Sequence, residues 1–356
     1  MRDGALDALR GFAVLGMVVV NLQGSPPDAF PILAHAPWDG MTFADLVFPM
    51  FLLAMGLALP LTTDRRSRPP GIGRILQRAA LLYLIGLALG ALLGGIIRSE
   101  LSLAGTRYTG VLERIAIVYL VCALLCRAVK GWQVPLLATI ALLAAHGALL
   151  YLPAPGEAAA SMAPGAGLSG WLDRTLLPGR LLRETWDPEG ALSTLSAIAT
   201  GLIGVTVQRL RLAGNSSAVE MGCAAACLAL GFAALALWPL NKALWTPSFA
   251  LVTAGASLAL LAALRLGWPY FGVRAPGRVA AALGQHALTL YVVHTLLTTL
   301  LVVRIGGERI WLHSFEAVAA TGLSASWASL VYALAAGALS IAITFAMVRR
   351  GWALRA

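Results

Sequence analysis

Long apolar runs separated by short polar segments make up most of this chain, and each run is close to the roughly 20 residues that an α-helix needs to cross a bilayer. The runs lie at about residues 5–22, 43–62, 74–96, 110–129, 133–152, 190–210, 218–237, 247–267, 279–303 and 326–348. This pattern predicts an all-α fold, a polytopic membrane helix bundle of about ten transmembrane helices. No segment between the runs is large enough for a soluble domain, so we expect a single transmembrane domain over residues 1–356.

The composition agrees with a membrane protein. Of the 356 residues, 59% are hydrophobic and 12% are charged, whereas about a quarter of the residues in a soluble domain are charged. The apolar runs are rich in Gly and Ala, which let transmembrane helices approach closely. Such small-residue faces also suggest a possible homodimer. The run from Phe12 to Val20 is as short as a signal-peptide core, but no small-residue cleavage site follows it, so we expect a retained first helix.

The basic residues indicate how the chain is oriented in the membrane. The net charge is +10, but the basic residues are spread among short loops and form no stripe, which predicts no nucleic-acid partner. With an even number of spans, 17 of the 26 basic residues fall on one side: Arg2, Arg10, Arg65, Arg66, Arg68, Arg74, Arg78, Arg127, Lys130, Arg209, Arg211, Arg265, Arg274, Arg278, Arg349, Arg350 and Arg355. Because basic loops stay in the cytoplasm, both termini are predicted to be cytoplasmic.

The longer loops are predicted on the extracytoplasmic side, and one of them carries a histidine and an acidic residue close together. The loops are 23–42, 97–109, 153–189, 238–246 and 304–325. His35 lies in the first loop, and Asp45 lies at the start of the next apolar run. An imidazole exchanges protons near neutral pH, and a carboxylate inside the membrane needs a partner. That partner is either His35 or an arginine such as Arg114.

The first helix carries polar residues near both of its ends. Asp7 and Arg10 are one turn apart, where they can form an ion pair or simply anchor the helix at the interface. Asn21 follows Arg10 by eleven residues, about 16 Å along the helix axis. It is either a helix cap or a functional amide.

Acidic and aromatic residues collect on the predicted extracytoplasmic side. Carboxylates can hold an ammonium group and rings can stack on a sugar, so the set fits an amino-sugar site. Two structural alternatives remain open. Glu113 and Arg114 can form a salt bridge, and Trp186 and Trp245 can belong to the interfacial aromatic belt.

The cysteines and the remaining histidines do not indicate a metal site. Cys122 and Cys126, like Cys223 and Cys227, are pairs of small residues in apolar helices. His286 and His294 are eight residues apart on one predicted helix, too far for chelation along one face. His146 and His313 have no recognisable partners. We assign no metal and no disulfide.

Six segments together carry a family resemblance. In order they are LDALRGFAVLGMVVVN, HAPWDGMTFADLVFPMFLLAMG, TGVLERIAIVYL, WDPEGALSTLSAIATG, NKALWTPSFALVTAG and ALTLYVVH. The set resembles the heparan-α-glucosaminide N-acetyltransferase family of transmembrane acyltransferases, in particular its shorter bacterial members. The resemblance covers nearly the whole chain. It implies that acetyl is moved from cytoplasmic acetyl-CoA to the amine of a glucosamine unit on the extracytoplasmic side of a bacterial inner membrane.

The resemblance also implies residue roles. The family's active-site histidine corresponds to His35 and its asparagine on the first helix to Asn21. Two positions depart from the family pattern, since Glu113 stands where glutamine is usual and His286 where asparagine is common. The broader acyltransferase-3 proteins share the LDxLRG opening but have a histidine at the position of Asn21, which favours the glucosaminide branch over O-acyl transfer.

We therefore predict a catalytic group, a donor site and an acceptor site. The catalytic group is His35 as general base, Asp45 as its orienting partner and Asn21 as a donor to the thioester carbonyl. Acetyl-CoA is expected near Arg10, Arg74, Arg78, Arg274 and Arg278. The acceptor is expected near Trp38, Asp39, Glu113, Arg114, Asp187, Glu189, Asn241, Trp245 and His286.

Three alternatives stay open at the level of the sequence. Transfer can be direct in a ternary complex, or it can pass through an acetyl-His35 intermediate. The reaction can be an O-acyl transfer of the broader acyltransferase-3 type. The chain can instead be a proton-coupled transporter of small polar solutes, in which the acidic residues and histidines form a proton relay.

Overall fold

The computed structural model describes residues 3–64, 69–98, 102, 104–214 and 218–354. Arg2, Arg65, Arg66, Arg68 and Arg355, which contributed to the predicted orientation, lie outside these residues. The helices are α1 (Gly4–Asn21), α2 (Phe43–Thr63), α3 (Ile72–Arg98), α4 (Val111–Ala128), α5 (Gln133–Leu149), α6 (Gly167–Leu176), α7 (Ala191–Gly214), α8 (Ala218–Ala233), α9 (Pro247–Phe271), α10 (Ala275–Gln285), α11 (Ala287–Leu301), α12 (Ile310–Ala319) and α13 (Ala325–Arg349). The strands β1 (Arg304–Ile305) and β2 (Glu308–Arg309) form a small antiparallel hairpin.

Every predicted apolar run contains a helix, so the chain is an all-α, polytopic membrane protein. Within the described residues, seven helices are long and apolar enough to cross a membrane, or eight if the bent pair α10 and α11 makes one span. The α5 helix is apolar but shorter, and α4 carries Glu113, Arg114 and Arg127 among its apolar residues. The count of ten spans and the position of the termini stay predictions.

The ninth predicted span is not one continuous helix. The α10 and α11 helices meet at His286 with a bend of 80°. The prediction that His286 and His294 share one helix is therefore wrong, because His286 lies in the break and only His294 lies within α11. The bend lies at Gln285 and His286, which are polar and follow Gly284, but a window of about 20 residues averages over them and still predicts one span.

Glycines bring the central helices into close contact. A Cβ atom on Gly56 of α2 would lie 1.9 Å from the carbonyl oxygen of Gly201 on α7. A Cβ atom on Gly284 of α10 would lie 1.7 Å from the carbonyl oxygen of Asp7 on α1. Any larger residue at these two positions would push the backbones apart, and small residues serve the same purpose between transmembrane helices in general.

The loops at one end of the bundle bring the predicted site residues together. We call this end, where α1 finishes and α2 begins, the His35 end, and the opposite end the Arg10 end. Three-residue 3₁₀ helices at Pro26–Asp28 and Pro31–Leu33 lead the chain from α1 towards α2. The segments before α4, before α7 and before α9 come to the same end, and together with the first loop they surround a cavity.

Candidate active site

A cavity of about 330 Å³ lies at the His35 end, between α1, α2 and three loops. Its polar and aromatic lining consists of Asn21, His35, Trp38, Asp45, Arg107, Arg183, Trp186, Glu189 and Lys242. The structure thus brings together all three predicted catalytic residues and two of the predicted acceptor residues, Trp38 and Glu189. The volume lies at the lower end of the range typical of small-molecule sites.

His35 and Asp45 form a hydrogen-bonded pair in the lining of this cavity. The Nδ1 atom of His35 lies 2.8 Å from Oδ1 of Asp45. The His35 side chain is 47% exposed, whereas the Asp45 side chain is 1% exposed. Because a carboxylate can only accept, Nδ1 carries the hydrogen and the Nε2 atom of a neutral ring keeps its lone pair. Of the two partners considered for Asp45, the structure selects His35.

Local structure fixes Asp45 in place. Its Oδ2 atom accepts hydrogen bonds from the backbone N–H of Ala36 at 3.0 Å and of Thr42 at 3.1 Å, and from the Thr42 hydroxyl at 3.2 Å. Asp45 is the third residue of α2, so its contact with Thr42 is a capping interaction at the helix N-terminus. The same carboxylate therefore starts the helix with one oxygen and holds the imidazole with the other.

Lys242 is a site residue that the sequence did not single out. Its Nζ atom lies 3.1 Å from Nδ1 and 3.3 Å from Nε2 of His35, and 3.5 Å from Oδ1 of Asp45. Burial lowers the pKa of the Lys242 ammonium, although the nearby Asp45 partly opposes this shift. A cation thus lies beside the imidazole at the mouth of the cavity.

Asp39 and Asn241 join the loop of His35 to the loop of Lys242. The Nδ2 atom of Asn241 donates to Oδ1 of Asp39 at 3.0 Å, and the backbones of the two residues form a β-bridge. The Oδ1 atom of Asn241 accepts from the N–H of Leu244 at 2.8 Å, which closes the turn after Lys242. Both residues were predicted to contact the acceptor, but neither lines the cavity. Their contacts instead hold Lys242 next to His35.

Asn21 reaches the cavity from the end of α1. Its Nδ2 atom lies 3.4 Å from Nε2 of His294, a buried residue of α11. Ring contact with Tyr291, at 5.1 Å between centroids, positions His294 in turn. His294 therefore orients the amide that faces the cavity, a role that the sequence did not predict for it.

An ion-pair group formed by Arg107, Asp187 and Glu189 forms the wall opposite α1. Arg107 donates from Nε to Asp187 at 2.7 Å and from Nη2 at 2.5 Å, and Nη2 also contacts Glu189. Burial on its own would raise the pKa of Asp187, but the hydrogen bonds from Arg107 hold it below its ordinary value. Asp187 and Glu189 were both predicted to contact the acceptor. Asp187 is buried, and of the two only Glu189 lines the cavity.

Two tryptophans line the cavity near its opening. The rings of Trp38 and Trp186 meet edge to face with centroids 5.0 Å apart. The Nε1 atom of Trp38 donates to the carbonyl of Met162 at 3.0 Å, which fixes the ring. Rigid aromatic faces of this kind suit the apolar face of a sugar ring.

Several predicted acceptor residues lie away from the cavity. Arg114 is buried, donates to the carbonyl of Gly190 and to the Ser193 hydroxyl, and lies 5.1 Å from the Trp245 ring centroid. Trp245 is buried and donates to the Thr200 hydroxyl. The geometry gives both side chains a structural place between α4, α7 and α9.

The other two predicted acceptor residues also lie outside the cavity lining. Glu113 is buried and packs against Gly86 and Gly110, where a Cβ atom would lie 2.7 Å from its carboxylate in each case. His286 lies in the bend between α10 and α11, next to Gln285, which lines a second cavity nearer the Arg10 end.

This second cavity has a volume of about 250 Å³ and reaches inward from the Arg10 end. Arg10 and Arg78 line it, and the Arg78 guanidinium lies 4.8 Å from the Tyr119 ring centroid. Its inner part is apolar and includes Met17, which also lines the His35 cavity. The other predicted donor-binding residues, Arg74, Arg274 and Arg278, are exposed and outside its lining.

The remaining histidines lie outside both cavities. His146 is completely buried in α5. His313 has neighbours that the sequence did not reveal, because its Nε2 atom lies 3.6 Å from Glu308 and its ligand atoms come within 4.8 Å of those of Glu308 and Glu316. All three residues are fully exposed, and exposed acidic groups of this kind are common without a bound ion.

Comparison with known proteins gives two findings. The family model described as acyltransferase domain matches residues 3–349. Human heparan-alpha-glucosaminide N-acetyltransferase is 28% identical over 353 residues, covering 82% of this chain and 52% of the human protein. The mouse protein of the same name is 27% identical over 307 residues, covering 68% of this chain and 46% of the mouse protein. The chain thus spans about half the length of the curated relatives it matches.

Proposed function

Because this chain belongs to the acyltransferase-3 family, whose model matches residues 3–349, we propose that it transfers an acetyl group from acetyl-CoA to the amine of an amino sugar. The donor enters from the cytoplasm at the Arg10 end, and the acceptor binds outside the cytoplasm at the His35 end. The membrane concerned is a bacterial inner membrane. The N-acetyltransferase names of the human and mouse relatives support the choice of amine and acyl group.

One observation carries this proposal. Met17 lines both the cavity that holds His35 and the cavity that holds Arg10 and Arg78, so the two cavities lie on either side of this residue. Two substrates that arrive from opposite ends can therefore reach one imidazole. A long, thin pantetheine arm fits such a path, because the nucleotide can stay at the Arg10 end while the thioester reaches the other end.

His35 is the general base in this scheme. With Nδ1 donating to Asp45, the Nε2 atom accepts a proton from the acceptor amine as the nitrogen attacks the thioester carbonyl. The new bond joins nitrogen to the acetyl carbon, and the carbon–sulfur bond breaks as the tetrahedral intermediate collapses. The sulfur leaves as coenzyme A thiol after it takes up a proton. Asp45 stabilises the imidazolium that exists between these proton transfers.

Asn21 and Lys242 stabilise the negative oxygen of the tetrahedral intermediate. The amide of Asn21 is oriented by His294 and faces the cavity from α1. The Lys242 ammonium lies beside Nε2 of His35, next to the place where the acceptor nitrogen must approach. Donors that are fixed in advance lower the barrier, because they need no reorganisation when the charge develops.

The acceptor site is the part of the cavity with Trp38, Trp186 and Glu189. The two rings offer an apolar face for the sugar, and the Glu189 carboxylate attracts the ammonium form of the acceptor, which releases one proton to water to become the free amine that attacks. The cation Arg183 lines the same region and can pair with an anionic group on the acceptor.

The proposal is tested with purified protein, acetyl-CoA and a panel of glucosamine derivatives, followed by mass spectrometry of the products. We expect N-acetylated sugar from the wild type and none from His35→Ala, with both proteins melting at similar temperatures. Full transferase activity in His35→Ala would refute the assignment. An O-acetylated product would refute the amine acceptor, and failure of acetyl-CoA to raise the Tm would favour a transporter.

Direct transfer and a ping-pong route are separated by a second measurement. The protein is incubated with labelled acetyl-CoA in the absence of acceptor, and its peptides are sequenced by mass spectrometry. In the ternary-complex mechanism, His35 stays unlabelled. A labelled His35 that passes its label to added glucosamine would replace direct transfer with an acetyl-His35 intermediate.

A further inference from the structure

An apolar groove of about 290 Å³ lies between α1 and α2, next to the His35 cavity. We call it the α1–α2 groove and define it by Leu15, Gly16 and Val19 of α1 and Phe43, Val47 and Met50 of α2. No charged residue and no side-chain hydrogen-bonding group is among its lining residues. The groove therefore offers no side-chain hydrogen bond to a water-soluble ligand, and its lining is complementary to a hydrocarbon chain.

The groove adjoins the His35 cavity at α2. Val47 lines both of them. On α1, Val19 lines the groove while the next two residues, Val20 and Asn21, line the cavity. On α2, Asp45 precedes Val47 by two residues, a rise of about 3 Å along the helix. A molecule with its polar end at His35 can thus extend an apolar end into the groove.

The size and position of the groove fit a chain that comes from the bilayer. Its volume is about twice the ~150 Å³ that accommodates a benzene molecule in an apolar cavity. Both flanking helices are long and apolar enough to span a membrane. Phe43, the first residue of α2, lines the groove and is exposed. Gly16 lets the Val47 side chain pack closely against α1, since a Cβ atom there would lie 3.0 Å from Cγ2 of Val47.

We propose that the acceptor is an amphiphile, an amino sugar attached to a hydrocarbon chain, which places its sugar in the His35 cavity and its chain in the α1–α2 groove. This inference rests on the proposed acetyltransferase function and narrows its acceptor class. The acceptor then reaches the enzyme by diffusing within the membrane, with its amine already at the depth of His35.

The acyl chain of a long-chain donor is a different possible occupant of the groove. The geometry favours the acceptor, because the donor enters along the cavity of Arg10 and Arg78, whereas the groove lies between two membrane-spanning helices, with Phe43 exposed and Leu15 and Val19 half-buried. An acetyl group is also too short to fill it. Transfer from octanoyl-CoA serves as the measurement for this second occupant.

The test compares methyl and decyl β-glucosaminide as acceptors for the wild-type protein in nanodiscs. We expect kcat/KM for the decyl compound to exceed that for the methyl compound about tenfold or more, because several methylene groups become buried. Leu15→Trp fills the groove, and we expect it to bring the ratio of the two values close to one. Turnover of methyl glucosaminide by Leu15→Trp should stay near that of the wild type, which shows that the variant is folded.

Leu84→Trp is the matched control, because Leu84 is a lipid-exposed leucine of α3 that lines neither the groove nor the cavity. It should keep the wild-type ratio. A ratio that is equally high in Leu15→Trp would overturn the proposal, since the decyl compound would then gain only by partitioning into the bilayer. Loss of octanoyl transfer in Leu15→Trp with an unchanged acceptor ratio would assign the groove to the donor. If the wild type acetylates neither glucosaminide, the proposed function itself fails.

Discussion

The Nδ1 atom of His35 lies 2.8 Å from Oδ1 of Asp45, while the other oxygen of Asp45 accepts three hydrogen bonds from Ala36 and Thr42. Because the two carboxylate oxygens have different partners, the substitution Asp45→Asn tests whether Asp45 orients His35. The three donors at Oδ2 require the amide oxygen there, so the amide NH₂ must face His35. Nδ1 then has to accept, and the ring hydrogen moves to Nε2, where the base is needed.

We therefore expect Asp45→Asn to lower kcat about 10²- to 10⁴-fold, the range attributed to a positioned general base, with only a small change in melting temperature. Thr42→Ala is the control, because it removes the hydroxyl that contacts Asp45 and the Ala34 carbonyl but leaves the contact between Asp45 and His35 in place. It should cost about 1 kcal/mol of stability and leave kcat nearly unchanged. Equal losses of kcat in both variants would contradict the orienting role of Asp45.

The lowered pKa of Lys242 leads to an expected pH dependence. Burial disfavours the ammonium form, so Lys242 loses its proton below the ordinary lysine value of 10.5. If the ammonium stabilises the intermediate, transfer falls as the pH rises through this lowered pKa. In Lys242→Arg the cation persists, and the alkaline decline of kcat should move to higher pH.

A pH–rate profile of wild type and Lys242→Arg measures this difference. Lys130→Arg serves as the control, since Lys130 is an exposed lysine that pairs with Asp64 at the opposite end. If kcat declined at the same alkaline pH in all three proteins, Lys242 would not be the group whose titration limits transfer.

Met17 lines both cavities, so its size should control whether the thioester reaches His35. Met17→Trp should block this passage and lower kcat about a hundredfold, as misplacement of reacting groups does. Met17→Leu conserves the volume and should retain activity. Calorimetry with coenzyme A should give similar affinities in all three proteins, because the nucleotide binds at the Arg10 end. Full activity in Met17→Trp would rule out this route.

Arg78 lines the cavity at the Arg10 end, whereas Arg74 is exposed one turn before it on the same helix. We expect Arg78→Ala to raise KM for acetyl-CoA about tenfold or more, with little change in kcat. This increase corresponds to the binding free energy of one hydrogen bond to a charged group. Arg74→Ala should have a much smaller effect. Initial-rate kinetics at varied acetyl-CoA concentration compare the two variants, and equal effects would argue against a defined phosphate contact at Arg78.

The pair formed by Arg107 and Asp187 should contribute mainly to stability. Asp187→Ala leaves the Arg107 cation without its bidentate partner, which typically costs about 3–5 kcal/mol, and should lower the Tm measured by thermal denaturation. Glu184→Ala removes an exposed carboxylate from the same loop and should change the Tm little. An Asp187→Ala protein as stable as the wild type would show that the pair is not structural.

The same pair gives stability a dependence on acid. Since the pKa of Asp187 is lowered in the folded protein, its contribution is complete above the ordinary aspartate value of 3.8 and disappears as the pH falls through the lowered one. The difference in Tm between wild type and Asp187→Ala should therefore be constant near neutral pH and shrink in acid.

Local patterns were enough to predict the contact between His35 and Asp45 and most of the helices, because His35 and Asp45 are ten residues apart and nearly every apolar run forms one helix. Contacts between distant segments were not predictable. Lys242 is 207 residues from His35 and looks like a solvated loop charge until Asn241 bonds to Asp39. The bend at His286 was missed for another reason, since the short sequence Gly284-Gln285-His286 interrupts a run whose average hydropathy still indicates one span.

Some predicted roles changed because burial is a tertiary property. Trp245 and Arg114 have the residue types of a sugar site, but they stack on each other inside the bundle. Trp245, like Trp38, stands in a predicted loop, and its local sequence does not show that it is buried whereas Trp38 reaches the cavity. Only the packing of α4 against α7 and α9 separates the two groups.

The position of Met17 in the lining of both cavities has a consequence for inhibitors of the proposed transfer. Under the proposed function, we expect a compound that imitates coenzyme A to act only when it is supplied from one face of a sealed vesicle. We expect one that imitates the sugar to act only from the opposite face, because the two cavities lie towards opposite ends of the bundle. A molecule that joins both halves must thread past Met17 to bind, so we expect it to associate slowly and dissociate slowly. An inhibitor can therefore be designed for the donor cavity or for the acceptor cavity, according to the face of the membrane that the compound reaches.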